Sequence, residues 1–178
     1  MQDSVYFKEK LNSIQKFYYI KYLMEDVRIT FKHDYNMNMH NINLDAKSGE
    51  ITSIPRWIAK ILAEENIAEI QDHDILVYVS RSLNRERIAK PHDISGIDTD
   101  FYIRVNDYMK ELKENERENI LVSLNSFVTS RIEKIVKLAA ASSLSIDLKK
   151  KLSIEEIELY NFIHKFTHEF KQKAVKKF

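Results

Sequence analysis

The stretch from Ile54 to Ile70, IPRWIAKILAEENIAEI, holds one of the chain's two prolines and its only tryptophan. Pro55 fixes φ near the helical value and has no N–H to leave unsatisfied, so it suits the first turn of a helix. Its ring also pushes Ile54 towards an extended backbone. Ile54, Trp57, Ile58, Ile61 and Leu62 then recur at helical spacing and predict a single apolar stripe. Asn66 tolerates the left-handed conformation that ends a helix. Ile67-Ala68-Glu69-Ile70 alternates like a short strand. Pro55, Trp57, Ile58, Ile61 and Leu62 are therefore expected to pack a small domain, with a helix clamped between strands by one large aromatic.

Outward from this stretch the two sides differ. On the N-terminal side, Phe7, Leu11, Ile14, Phe17 and Tyr18 keep a helical period within 5–23, while Phe17-Tyr18-Tyr19-Ile20 would equally suit a strand. Val27 to Phe31 and Met37 through Ile42 and Leu44 alternate at period two and read as half-buried strands. Asp45 to Glu50 reads as a turn. On the C-terminal side helices follow one another. His73 to Ala89 carries Ile75, Leu76, Val79, Leu83 and Ile88, and the segment 90–97, with Pro91 and Gly96, predicts an exposed loop. Asp98 or Thr99 is placed to cap the next helix, whose apolar face is Phe101, Tyr102, Val105, Tyr108, Met109 and Leu112.

A long helix is expected from about 116 to 143, with Arg131, Lys134 and Lys137 on or beside its apolar face. After a loop over 144–152, Ser153-Ile154-Glu155-Glu156 forms a capping box. The last helix carries Ile157, Leu159, Tyr160, Phe162, Ile163, Phe166 and Phe170 around much of its circumference. The expected class is α+β, mostly α. A small strand-bearing domain over 1–72 precedes a helical bundle domain over 73–178.

Composition excludes several kinds of chemistry. The chain has 178 residues, 44% hydrophobic and 31% charged, as a globular protein does. Zero cysteines rule out disulfides and thiolate metal sites. Two glycines, Gly49 and Gly96, are too few for phosphate-cradling loops, dinucleotide fingerprints or a nucleophile elbow. A net charge of +1 creates no field that demands nucleic acid. No apolar run long enough to span a membrane and no signal-peptide core are present, so a cytoplasmic protein is expected.

The remaining motifs have plain structural explanations. His164 and His168 stand at i, i+4, a spacing that lets two imidazoles share a metal, but no HExxH arrangement surrounds them. His33-Asp34, His73-Asp74 and His92-Asp93 suggest a metal-dependent phosphohydrolase of the His-Asp type; turn and capping chemistry explains the same pairs more simply. Glu64-Glu65 and Glu155-Glu156-Glu158 read as solvated faces and a cap. Lys149-Lys150-Lys151 and the tail Lys171, Lys173, Lys176 and Lys177 would touch a nucleic-acid backbone weakly, without sequence preference, or not at all. No catalytic residue, metal or cofactor is expected.

Taken in order, these segments resemble GINS subunits. IPRWIAKILAEENIAEI is similar to the segment that closes their small domain, where a proline, an aromatic and a Leu/Ile-Ala pair open a helix running into a Glu-Ile-type strand. FYIRVNDYMKEL (Phe101 to Leu112) resembles the family's tyrosine-bearing helix. SRIEKIVKLAAASS (Ser130 to Ser143) and LSIEEIELYNFI (Leu152 to Ile163) resemble its Arg-Ile-x-Lys-Ile helix and the Leu-Ser/Thr-x-Glu-Glu…Tyr helix after it. The likeness covers about 27–170, with Asn66 where a glycine is common.

With the small domain first, the chain resembles the archaeal counterpart of the second and third eukaryotic partner subunits. The resemblance implies a non-catalytic DNA-replication subunit in a hetero-tetramer, two copies each of this chain and a sister subunit. That assembly joins the MCM helicase to a RecJ/Cdc-type partner at the replication fork, with a link to primase. A stand-alone nucleic-acid-binding module is the other class kept open. The subunit interface is expected at Phe101, Tyr102, Val105, Tyr108, Met109, Leu112, Arg131, Tyr160 and Phe166, where buried aromatic anchors would dominate binding.

Overall fold

The computed structural model describes residues 2–39, 42–71, 75–90 and 93–175. Its elements are α1 (Gln2–Leu23), β1 (Asp26–Phe31), β2 (Tyr35–Met39), β3 (Ile42–Ala46), β4 (Ile51–Pro55), α2 (Arg56–Glu64) and β5 (Ala68–Ile70), then α3 (Ile75–Ile88), α4 (Phe101–Met109), α5 (Glu114–Ala141), α6 (Ile146–Lys149) and α7 (Ile154–Val175). The class is α+β, mostly α, with a small strand-bearing region first and helices after it. Two compact units result: Tyr19–Asp74, and Met1–Tyr18 together with Ile75–Phe178.

The small unit is an antiparallel sheet in the order β4-β1-β5, with a separate β2-β3 pair. β1 alternates so that Val27, Ile29 and Phe31 point into the core, where they meet Ile54, Ile58, Ala59, Leu62 and Ala68. The segment from Met37 to Leu44, expected as one strand, is divided between β2 and β3, and the chain reverses so that Met39 pairs with Ile42. Gly49 at φ 82° closes the turn into β4.

Helix α2 ends as its sequence predicts. Asn66 sits at φ 58°, its N–H donates to Ala63 O at 3.0 Å, and the Ile67 N–H donates to Leu62 O at 2.8 Å. These two bonds are the Schellman pair that satisfies the last carbonyls of a helix. The helix start differs by one residue, because Pro55 is the N-cap and last residue of β4 rather than the first helical residue.

The stripe differs more. Ile58 and Leu62 are buried with Ala59 and Arg56, Pro55 is half-buried, and Trp57 and Ile61 stay 40% and 51% exposed. Ala59 is small enough to lie flat against the sheet, which rotates α2 and turns the larger Trp57 outward. Trp57 is not the clamp that the sequence suggested.

In the helical unit one core holds Val79 and Leu83 of α3, Phe101, Val105 and Met109 of α4, and Ile120, Leu124 and Phe127 of α5. A second holds Ile94, Ile135, Ala139, Leu152, Ile157 and Tyr160. Residues 2–18, placed in the small domain by sequence, pack here instead. Phe7 meets the Phe162 ring at 4.8 Å, Lys10 pairs with Glu158 at 2.6 Å, and Gln15 Nε2 donates to Glu155.

Three connecting segments also depart from expectation. Ile94 and Ile97 of the supposedly exposed loop are buried, because a loop that follows buried helices must close the core end. Asp98 accepts the Tyr78 hydroxyl at 2.6 Å instead of capping α4, whose N-cap is Asp100. The segment 144–152 contains α6, capped by Ser145 Oγ, which accepts the Leu148 N–H.

Candidate functional site

At the centre of the helical unit Arg131 is fully buried, held by α5 between α3 and α7. A guanidinium has five N–H donors, and each is used. Nε and Nη2 donate to the two oxygens of Glu156 at 2.5 and 2.7 Å, a bidentate pair. Nη1 donates to Glu86 Oε2 and to Ser95 O, both at 2.8 Å, and Nη2 donates again to Lys151 O at 3.1 Å. Lys134 Nζ supplies Glu86 Oε1 at 2.6 Å. Two carboxylates and two cations leave the cluster neutral.

The titration behaviour follows from this geometry. Burial alone would lower the Arg131 pKa, but the Glu156 hydrogen bonds and charge, with Tyr102 and Glu86, raise it above its ordinary value. Burial would raise Glu86, yet Lys134, Ser95 and Arg131 together hold it below the usual carboxylate range. Tyr102 is pushed well up, first by burial and then by the Glu156 carboxylate that accepts its hydroxyl at 2.8 Å.

Glu156 has a third task. Its Oε2 accepts the Ser153 N–H at 3.1 Å, and the Glu156 N–H donates to Ser153 Oγ at 3.3 Å. The capping box read from the sequence is therefore present, with its acid also serving the buried arginine. A guanidinium with every donor committed inside the chain has none left for a substrate or partner. Arg131 is a structural tie, not an exposed interface anchor.

Most of the residues expected at a subunit interface are interior. Phe101, Val105 and Met109 are buried, and Phe101 packs against Tyr78, Tyr102 and Phe127 at 5.2–5.4 Å between ring centroids. Tyr160 is fully buried, and its hydroxyl donates towards Leu138 O and Ser142 O at the end of α5. Tyr102, Tyr108 and Leu112 are half-buried around the same core. The physical reason is that α3 and α5 of the same chain cover this face. Of the nine, Phe166 alone is well exposed, at 63%.

Exposed apolar side chains lie elsewhere. Phe166 lines a cleft of about 150 Å³ with Tyr6, Phe7 and Phe162, between α1 and α7. Phe170 continues that side at 68% exposure, and Val122, Ile132 and Val136 face solvent along α5. Trp57 and Ile61 do so on the small unit.

The other chemical candidates are occupied by local bonds. His164 Nδ1 lies 2.9 Å from Ala139 O, and His168 Nε2 lies 2.8 Å from Gln172 Nε2. Asp34 accepts the Ser48 N–H at 2.8 Å, which ties the β1–β2 connection to the β3–β4 turn rather than closing a turn of its own. His73-Asp74 and His92 lie outside the described residues, as do Lys176 and Lys177. Among the described residues no three His, Asp or Glu side chains gather as a metal would need. Lys151 pairs with Asp93 at 2.8 Å, and the Lys171 ammonium donates to Ala140 O. No helix among the described residues is long and apolar enough to cross a membrane.

Glu86 and the α1–α7 contact were missed from sequence. The signal for the first was there: Glu86 continues the Val79-Leu83 stripe of α3, and Arg131 interrupts the stripe of α5. Opposite charges on two apolar stripes mark a buried pair. No family model matches this chain, and no curated protein matches it either.

Proposed function

We propose that this chain is a small-domain-first GINS subunit, a non-catalytic part of a replication assembly that joins the MCM helicase to a RecJ/Cdc-type partner. The supporting observation is the order of parts. The strand-bearing unit, Tyr19–Asp74, precedes the main run of the helical unit from residue 75, to which residues 1–18 also belong, and the motif segments fall on discrete elements of each. IPRWIAKILAEENIAEI runs through α2 and β5, FYIRVNDYM is α4, and the Arg-Ile-x-Lys-Ile and Ser-x-Glu-Glu motifs meet at the Arg131–Glu156 pair. In this reading the second and third motifs are scaffold, and the partner surfaces are the apolar side chains that remain outside, Trp57, Ile61 and Phe166.

Co-expression with a sister subunit of the small-domain-last kind, followed by light-scattering mass, tests the proposal. Two copies of each chain are expected. Trp57→Asp and Phe166→Asp should each weaken assembly while leaving the unfolding midpoint of the chain nearly unchanged, because both side chains are substantially exposed. A chain that ignores the sister subunit at micromolar concentration overturns the reading.

A further inference from the structure

The end of α7 is unlike the rest of the helical unit. From His168 to Val175 every residue is exposed, so these last turns have no buried side. A helical stretch this short is marginal in water without support.

Its charge is one-sided. After Glu158 the chain carries Lys165, Lys171, Lys173, Lys176 and Lys177 against a single acid, Glu169. The whole chain has a net charge of only +1, so this segment concentrates the positive excess. Neighbouring segments do not cancel it. α1 runs antiparallel to α7, and its start balances Asp3 and Glu9 against Lys8 and Lys10, with Lys10 already held by Glu158. The stretch from Leu138 to Ile146, at and beyond the end of α5, holds no charged residue. Lys171 is engaged by Ala140 O and is not counted here. Lys165 and Lys173 have no ion pair among the described residues. Glu169 stands four residues from each of them, so it is outnumbered on its own face.

Two aromatic rings lie within this charge. Phe166, Phe170 and Lys173 stand at i, i+4 and i+7 and share one face of the helix, flanked by Lys165. Phe166 is 63% exposed and Phe170 68%.

We infer that the end of α7 binds a single-stranded polynucleotide, with bases stacked on Phe166 and Phe170 and phosphates held by Lys165 and Lys173. The lysines select a polyanion, and the rings select one that exposes flat π-faces. Every unpaired base presents such a face, so stacking on phenylalanine tolerates any sequence. A duplex keeps its bases stacked on one another and offers the rings nothing. Phenyl rings carry no group that reads a 2′-hydroxyl, so DNA and RNA strands are held alike. A bilayer surface would need a wider apolar face than two rings. This inference does not rest on the replication reading. Phe166 serves both, so the test is made on Phe170 and Lys173.

Fluorescence anisotropy of labelled oligothymidylate and oligouridylate, titrated with the full chain, tests it. At about 50 mM salt a Kd on the order of 10 µM is expected for both, with a blunt duplex roughly tenfold weaker. Phe170→Ala should weaken binding roughly tenfold, Phe170→Leu should do the same, and Phe170→Trp should hold or tighten it. What the first two remove is a π-face and not merely bulk. In Lys173→Gln the slope of log affinity against log salt should become less steep by about 0.7. Circular dichroism of each variant should match the parent, since these side chains face solvent.

Binding that is absent at low salt, unchanged by Phe170→Ala or restored by Phe170→Leu overturns the inference. Equal affinity for the duplex, for a poly-glutamate peptide or for phosphatidylserine vesicles overturns it as well, and would assign this end of α7 to a different partner.

Discussion

Replacing Arg131 by methionine keeps most of the volume and removes the charge, and the structure says what is left behind. Glu156 loses the cation it pairs with and retains the Tyr102 hydroxyl and the Ser153 N–H. Glu86 loses one of two cations and keeps Lys134 and Ser95. The main penalty is therefore one uncompensated buried carboxylate, on Glu156.

Removing one partner of a buried pair costs about 3–5 kcal/mol. Because Lys134 remains for Glu86, the lower part of that range, about 3 kcal/mol, is expected. That is a large share of the roughly 5–15 kcal/mol that holds a typical domain. Urea unfolding followed by far-ultraviolet circular dichroism measures it. Arg131→Met with Glu156→Gln should be more stable than Arg131→Met alone, since the glutamine carries no charge and can still reach the Ser153 N–H. A loss under about 1 kcal/mol for the single variant, or a double variant whose loss equals the sum of the singles, would refute the reasoning.

Two further outcomes follow from particular residues. Glu86 has its folded-state pKa held below the unfolded value of about 4.3, so its contribution is full above that pH and is lost as pH falls through the folded value. Glu86→Gln should lower stability at neutral pH and flatten the acid limb of a stability–pH profile; an unchanged slope would contradict this. At Asn66, φ 58° is strained for a residue with a Cβ. Asn66→Ala should cost the small unit about 1 kcal/mol and Asn66→Gly should be neutral or mildly stabilising, read from the Trp57 fluorescence transition in urea.

What was legible in the sequence was what depends on near neighbours. The Asn66 helix end and the Ser153 box are decided within a few residues, and both stand as expected. The apolar stripes of α4 and α5 were legible as buried, but period reports burial and not by what covers it. Period alone therefore does not separate a partner-covered face from one like Phe101 to Leu112, which α3 and α5 of the same chain enclose. Trp57 misled for a related reason. Size suggested a clamp, but the sheet accepts Ala59 and turns Trp57 to the outside. The α1–α7 contact depends on residues some 150 apart in sequence, such as Phe7 and Phe162, and nothing local announces it.

The double duty of Glu156 bears on how the helical unit comes together. Its carboxylate ends the chain's search for the start of α7 and, with the same two oxygens, neutralises a cation buried on α5. A local event thus prepares a distant one. The first turn of α7 can form its cap from residues 153–156 alone, and that cap holds the Glu156 carboxylate where α5 needs it to bury Arg131. Without that turn in place the guanidinium would lack its bidentate partner, so docking of α5 waits on the start of α7. A chain cut before Ser153 would accordingly lose far more than the last helix.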